Sequence, residues 1–135
     1  MAWIKCMKPP MNETTLWTNS SPSQSFSAQT VTLSDSILNY SMIRIKGRGK
    51  STSATPKWET YVTPQYLVNC VTTISTAGQA CLIACSINSS NGRMGRLVSA
   101  DSDGLNIIFS ATAPMGNSGS GSSDHIVPEE IVGIV

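Results

Sequence analysis

Charge is scarce in this chain. Only 13% of its 135 residues are Asp, Glu, Lys or Arg, well below the ~25% usual in soluble domains. Nine basic residues nearly cancel eight acidic ones, which removes the single-sign field that would attract nucleic acid or an anionic membrane. Long apolar runs are missing too. No stretch approaches the ~20 residues needed to span a bilayer, so membrane insertion is not expected. The opening Met1-Ala2-Trp3-Ile4-Lys5-Cys6-Met7-Lys8 is too short and too charged for the apolar core of a secretion signal. The expected route is synthesis in a cytoplasm, with no export unless something carries the protein out.

Histidine occurs once, at His125, and cysteine four times, at Cys6, Cys70, Cys81 and Cys85. Cys81 and Cys85 sit in Ala80-Cys81-Leu82-Ile83-Ala84-Cys85-Ser86-Ile87, which reads as a buried strand. On one strand face they stand ~13 Å apart, too far to bridge each other. Cys-x3-Cys with a distant lone His is also a poor zinc pattern. The thiols are therefore expected to be reduced small hydrophobes, with no metal site and no cofactor. Asn-x-Ser/Thr triplets begin at Asn12, Asn19, Asn39 and Asn88. In a chain rich in Asn and Ser, lacking an export signal, they do not imply glycosylation.

What fills the gaps is Ser, Thr, Asn and Gly, arranged as short strands cut by turn residues. Met42-Ile43-Arg44-Ile45-Lys46-Gly47-Arg48 is the clearest, with Ile43 and Ile45 facing inward and Arg44, Lys46 and Arg48 facing water. In Ser27-Ala28-Gln29-Thr30-Val31-Thr32-Leu33, Gln29, Val31 and Leu33 share one side. Strands are expected at 2–7, 14–18, 57–62, 66–75, 79–87, 95–100, 105–111 and 125–135. One turn of helix fits 34–40, with Ser34 or Asp35 as cap. Thr76-Ala77-Gly78, Asn91-Gly92 and Asp101-Ser102-Asp103-Gly104 supply turns, and 49–56 and 114–124 read as loose segments. The predicted fold is all-β, a single antiparallel β-sandwich of jelly-roll type. It occupies 14–135, preceded by an N-terminal strand or arm at 1–13, because Pro9-Pro10 blocks continuous pairing. Ile43, Ile45, Ile83, Ile87, Ile107 and Phe109 are the expected core.

No catalytic residues are assigned. Gly116-Asn117-Ser118-Gly119-Ser120 resembles the nucleophile loop of chymotrypsin-like proteases, but the only His follows the Ser and the chain is too short for two barrels. Asp101-Ser102-Asp103-Gly104 looks like part of a calcium loop without its distal Glu or flanking helices, so it reads as a hairpin turn. A carboxylate pair for a small glycan-active enzyme, Glu59 with Asp101 or Asp103, has nothing to bring it together. The candidate binding surface is the cationic stripe Arg44, Lys46, Arg48 and Lys50 with the aromatics Trp58 and Tyr61. Such a surface could meet phosphate or acidic glycan; a solvated face is the plainer reading.

Leu16-Trp17-Thr18-Asn19-Ser20-Ser21-Pro22-Ser23 running into Ser25-Phe26-Ser27-Ala28-Gln29-Thr30-Val31-Thr32-Leu33, with the ending Ile126-Val127-Pro128-Glu129-Glu130-Ile131-Val132-Gly133-Ile134, resembles short structural proteins of tailed phages and prophages of Gram-positive bacteria. The match covers about a quarter of the chain, at its two ends. It implies a virion component, expected in the tail, fibre or baseplate and engaged in binding host-surface polysaccharide. A capsid decoration or head-fibre protein is the alternative. It further implies a homo-oligomer, a trimer by preference, that contacts other virion proteins.

Overall fold

The computed structural model describes residues 12–50, 53–73, 78–88, 92–115 and 120–135, and for 53–56, 86–88 and 92 the backbone alone. In chain order the elements are β1 (Glu13–Thr18), β2 (Gln29–Thr32), a 3-10 turn (Ile37–Asn39), β3 (Met42–Lys50), β4 (Ser53–Val62), α1 (Pro64–Val68), β5 (Cys81–Asn88), β6 (Gly92–Ala100), β7 (Asn106–Pro114) and β8 (His125–Ile134). The strands form two four-stranded antiparallel sheets, ordered β1-β8-β3-β4 and β2-β7-β6-β5. The first strand pairs with the last and the second with the seventh, the nesting of a jelly roll. The inner strands depart from it, as β3-β4 and β5-β6-β7 run as successive hairpins.

Alternation decides what lies between the sheets. Ile43, Ile45, Ile83, Ile107 and Phe109 are at most 1% exposed and meet Leu16, Val31, Leu33 and Ile131 in one core, as period-2 patterning requires. The side chain of Ile87 lies outside the described residues. Trp17, Phe26 and Phe109 stack edge to face or tilted, with ring centroids 5.3 to 6.5 Å apart, a geometry that aromatic quadrupoles favour.

Local chemistry accounts for the departures from expectation. The stretch 66–75 is not a strand where described: α1 occupies its start, because Pro64 at the first helical position presets the backbone dihedral and Leu67 is wholly buried. Among the described residues Cys70 and Gln79 form an isolated bridge. The 3-10 turn is capped by Ser36, not by Ser34 or Asp35; its Oγ accepts the Leu38 N–H at 3.2 Å. Asp35 instead accepts from the Ser36 N–H, the Asn39 amide and the Tyr40 hydroxyl. The segment expected to be loose at 49–56 largely extends β3 and β4. Gly47 permits this close packing, since a β-carbon there would overlap the Val127 carbonyl and the Trp58 ring. The turn at 101–104 forms as expected, with Gly104 at φ 72°, a conformation that suits glycine. The expected strand at 2–7 and arm at 1–13 lie outside the described residues up to residue 11; Asn12 and Glu13 continue into β1, where Glu13 pairs with Ile134.

Among the described residues one inward side chain is charged. Arg96 on β6 is 1% exposed. Its Nε donates to the Ile126 carbonyl at 3.0 Å, Nη1 to Ser110 at 2.6 Å, and Nη2 to Phe26 at 2.8 Å and His125 at 3.1 Å. The guanidinium also lies 5.3 Å from the Phe26 ring centroid. Burial pulls its pKa down to about 10, still protonated at neutral pH. Carbonyl oxygens satisfy a buried guanidinium as no apolar contact can. Arg96 thereby ties β6, β7, the segment before β2 and the entry of β8 together. It holds that entry where Ile126 adopts φ 51°, a strained value for a β-branched residue.

Candidate functional site

β3 points Arg44, Lys46 and Arg48 away from the core, as its sequence predicts, yet the stripe is not a bare cationic surface. Neighbouring strands set carboxylates against it. Arg44 makes a two-pronged contact with Glu13 on β1, at 2.8 and 3.1 Å, with Glu59 at 3.6 Å and Glu130 at 3.9 Å. Glu130 also meets Lys46 at 3.4 Å. Glu129 takes Arg48 at 3.1 Å and Lys57 at 3.0 Å. Glu129 sits where the β3–β8 register slips between Lys46 and Gly47, so a bulge delivers this carboxylate to two cations. The hydrogen bond from Arg44 holds the Glu13 carboxyl below its ordinary range. Bonds from Arg48 and Lys57 outweigh partial burial and do the same for Glu129. Only 15% of the Arg44 side chain and 21% of that of Arg48 remain exposed, against 46% for Lys46. An anionic ligand would have to displace four carboxylates.

The two aromatics go different ways. Tyr61 is 53% exposed beside Arg44, whose charged form it favours. Trp58 packs on the core, and its indole N–H donates to the Arg48 carbonyl at 3.0 Å. Its remaining surface edges a hollow of about 380 Å³ with Lys46, Gly47, Lys57, Glu59 and Glu129. Five of the six candidate residues thus form a salt-bridged face with one aromatic-edged hollow, while Lys50 stands opposite His125 in the β3–β8 ladder and joins none of these ion pairs. Trp17 and Tyr66 are used internally: Trp17 in the aromatic cluster, Tyr66 through its hydroxyl on the Ala80 carbonyl at 3.0 Å.

Among the described residues the groups weighed for catalysis do not converge. Ser118 lies outside the described residues. His125 is 6% exposed, and its Nδ1 has no partner among the described residues. Burial and the nearby Lys50 lower its pKa, against the opposing effect of Asp124. Asp101 closes the β6–β7 turn, accepting the Leu105 and Asn106 N–H groups at 3.0 and 3.1 Å. Glu59, on the outer face of β4, belongs to the other sheet. Among the described residues no group of three His, Cys, Asp or Glu stands close enough to hold a metal. Cys81 and Cys85 are buried and free of disulfides, Cys70 half-buried. Burial raises all three thiol pKa values, that of Cys81 to about 11.

A second surface, not found by the sequence reading, covers the outside of β5, β6 and β7. Leu82, Leu97, Ala111, Ala113, Pro114 and Met115 line a hollow of about 610 Å³ there, with Gly95 as its floor and Thr72, Thr73 and Ser110 at its sides. A β-carbon on Gly95 would meet only the flexible ends of Leu82 and Met115. Among the described residues no charged side chain lines it. Its sequence signal is negative: no charged residue occurs between Glu59 and Arg93, nor between Asp103 and Asp124. No protein-family model matches the chain, and no curated protein matches it.

Proposed function

We propose that this chain is a non-catalytic structural subunit of a tailed-phage virion, in the tail, fibre or baseplate, where it self-associates and contacts host-surface polysaccharide. One observation carries the reading. The two stretches that resemble phage structural proteins, at opposite ends of the chain, fold into a single unit. Trp17 pairs with Ile131 and Thr18 with Glu130 across β1 and β8. Asn19 then donates its side-chain amide to the Pro128 carbonyl at 2.9 Å and its backbone N–H to Glu129 at 2.8 Å. Sequence similarity at both termini therefore follows one physical constraint, a strand pair and its asparagine clasp. The Trp58 hollow supports the polysaccharide part, since an indole edge among Lys and Glu side chains offers stacking and hydrogen bonds to sugar hydroxyls.

The test is mass spectrometry and antibody labelling of purified particles. The expected outcome is the protein on the tail. Labelling on the head selects the capsid-decoration alternative, and absence from particles overturns the proposal. For the third alternative, a glycan-active enzyme, the protein is incubated with host-wall polysaccharide and peptidoglycan. Release of reducing ends that vanishes in His125→Ala, Ser118→Ala or Asp101→Asn would replace a structural role with a hydrolytic one.

A further inference from the structure

Across 60–100 and 104–123 the sequence contains no Asp or Glu, and its only cations are Arg93 and Arg96. Arg96 turns inward onto carbonyls, whereas Arg93 is exposed. Arg93 stands on β6 opposite Ser86, two residues from Gly95 and so on the same side of the sheet. The register sets Gly95 between Ala84 and Ala113, and Leu82 opposite Leu97. Arg93 is therefore the next outward residue along β6 from the glycine floor of the Leu82–Met115 hollow. Its carbonyl accepts the Met115 N–H at 3.0 Å, which ties it to one wall of that hollow. Among the described residues no carboxylate pairs with Arg93, while Arg44, Lys46, Arg48 and Lys57 on the other sheet each meet at least one. The nearest acid along β6 is Asp101, ~26 Å away along an extended strand and engaged in its own turn.

We infer that this hollow binds a single-chain anionic amphiphile, with the apolar chain laid over Gly95 between Leu82 and Met115 and the oxyanion head on Arg93. Depth comes from the glycine. A β-carbon there would lie 2.8 Å from Leu82 Cδ1 and 3.0 Å from Met115 Sδ, so these side chains lean toward each other over a floor that has none. Both are left unburied, Leu82 41% and Met115 37% exposed, and a chain between them would cover them. The volume of about 610 Å³ lies within the ~300–1,000 Å³ of small-molecule sites. The lining suits an alkyl chain and not a sugar. No aromatic ring faces it among the described residues, and the Ser110 hydroxyl is committed, donating to the Ala111 carbonyl and accepting the Leu97 N–H, each at 2.8 Å. Charge selects the head group. A guanidinium offers a planar fork of donors that matches an oxyanion, and it repels a cationic head. One cation also disfavours a bilayer surface, which is gripped by clusters of ~4–8 Lys or Arg.

The inference goes beyond the virion reading and does not depend on it, since the polysaccharide hollow lies on the opposite sheet. Decanoate, decanol and decylammonium are titrated into the purified full chain, below the concentrations at which they aggregate, and binding is read from backbone amide NMR shifts. The shifts are expected to cluster at Leu82, Gly95, Leu97 and Met115. Decanoate is expected to bind roughly tenfold tighter than decanol, with decylammonium weakest. Octanoate is expected to bind about tenfold more weakly than decanoate, for the loss of two methylenes. Arg93→Gln, at an exposed site, is expected to bring decanoate down to the affinity of decanol and leave decanol unchanged; added salt acts in the same direction. Gly95→Ala raises the floor and is expected to weaken both ligands alike, by roughly fivefold. Failure of decanoate to bind overturns the inference. So do equal affinities for the three probes, a decanoate affinity that Arg93→Gln leaves intact, or shifts that fall away from the hollow. Protein that ignores decanoate but sediments with phosphatidylglycerol vesicles would assign the face to a membrane surface and equally overturn it. If Gly95→Ala misfolds, the Arg93→Gln arm and the unmutated chain still decide the matter.

Discussion

The two outer faces of this sandwich were built to different rules. The face of β1, β8, β3 and β4 carries four cations, Arg44, Lys46, Arg48 and Lys57, and four carboxylates, Glu13, Glu59, Glu129 and Glu130, which link into every ion pair found among the described residues. The face of β5, β6 and β7 offers Leu82, Leu97, Ala113 and Met115 around a glycine floor. A charged face stays soluble and resists nonspecific contact, while an uncharged one invites burial. The division teaches that charge, scarce in the whole chain, is concentrated on one layer and sparse on the outer face of the other, where Arg93 is exposed two residues from Gly95.

Four experiments would break or sharpen that division. The largest effect is expected where the sheet of β5, β6 and β7 carries the buried Arg96. Arg96→Met strands four buried carbonyls, and loss of such a charged donor costs about 3–5 kcal/mol, read as a lowered denaturant midpoint with the entry of β8 exchanging fastest. Arg96→Lys, reaching fewer carbonyls, is expected to recover part of it. Next comes a pair of glycines, one per sheet. Gly47→Ala drives a methyl into the Val127 carbonyl and the Trp58 ring and is expected to cost roughly 3 kcal/mol. Gly95→Ala meets only the yielding ends of Leu82 and Met115, and its cost is expected to stay under about 1 kcal/mol. Equal melting shifts for the two would refute this asymmetry.

A smaller effect follows from pH. The folded chain holds His125 below its ordinary pKa of 6.5, so the unfolded chain takes up that proton first as pH falls. Above pH 6.5 the residue is neutral in both states and its full contribution stands; stability is lost as pH drops from 6.5 through the lowered folded value. His125→Gln is expected to flatten that slope. The carboxylates Glu13 and Glu129, also lowered, lose their contribution only further down, below about 4.5. The smallest effect belongs to the charged face itself. Glu13→Gln is expected to leave stability nearly unchanged, because a solvent-exposed ion pair is screened by water. It should also raise affinity for an anionic polysaccharide by freeing Arg44, seen as a salt-sensitive gain in binding; no gain would mean that the Glu13 pair is not what masks the stripe.

Strand-level organisation was legible where burial and exposure alternate residue by residue. Ile43 and Ile45 against Arg44 and Lys46, or Val31 and Leu33 against Thr30 and Thr32, announce their faces by a period of two. The turn at 101–104 was legible from Asp and Gly. What failed did so for local reasons. The run from Tyr66 holds apolar and β-branched residues that suit a strand, and Pro64 two positions earlier tipped it into a helical turn. The cationic stripe was read correctly as to direction and incompletely as to charge, because Glu13, Glu129 and Glu130 lie far from Arg44 in sequence.

By itself, then, the sequence determined a β architecture, the inward set of β3, and the absence of charge over long stretches, since these depend on neighbours along the chain. Tertiary structure alone decided that the first and last strands pair, that four carboxylates close over one face, and that Arg96 reaches four carbonyls from distant segments. Among the described residues, it alone placed β5 at the edge of its sheet. Each of these depends on which strands lie side by side, a matter of long-range pairing that local periodicity does not encode.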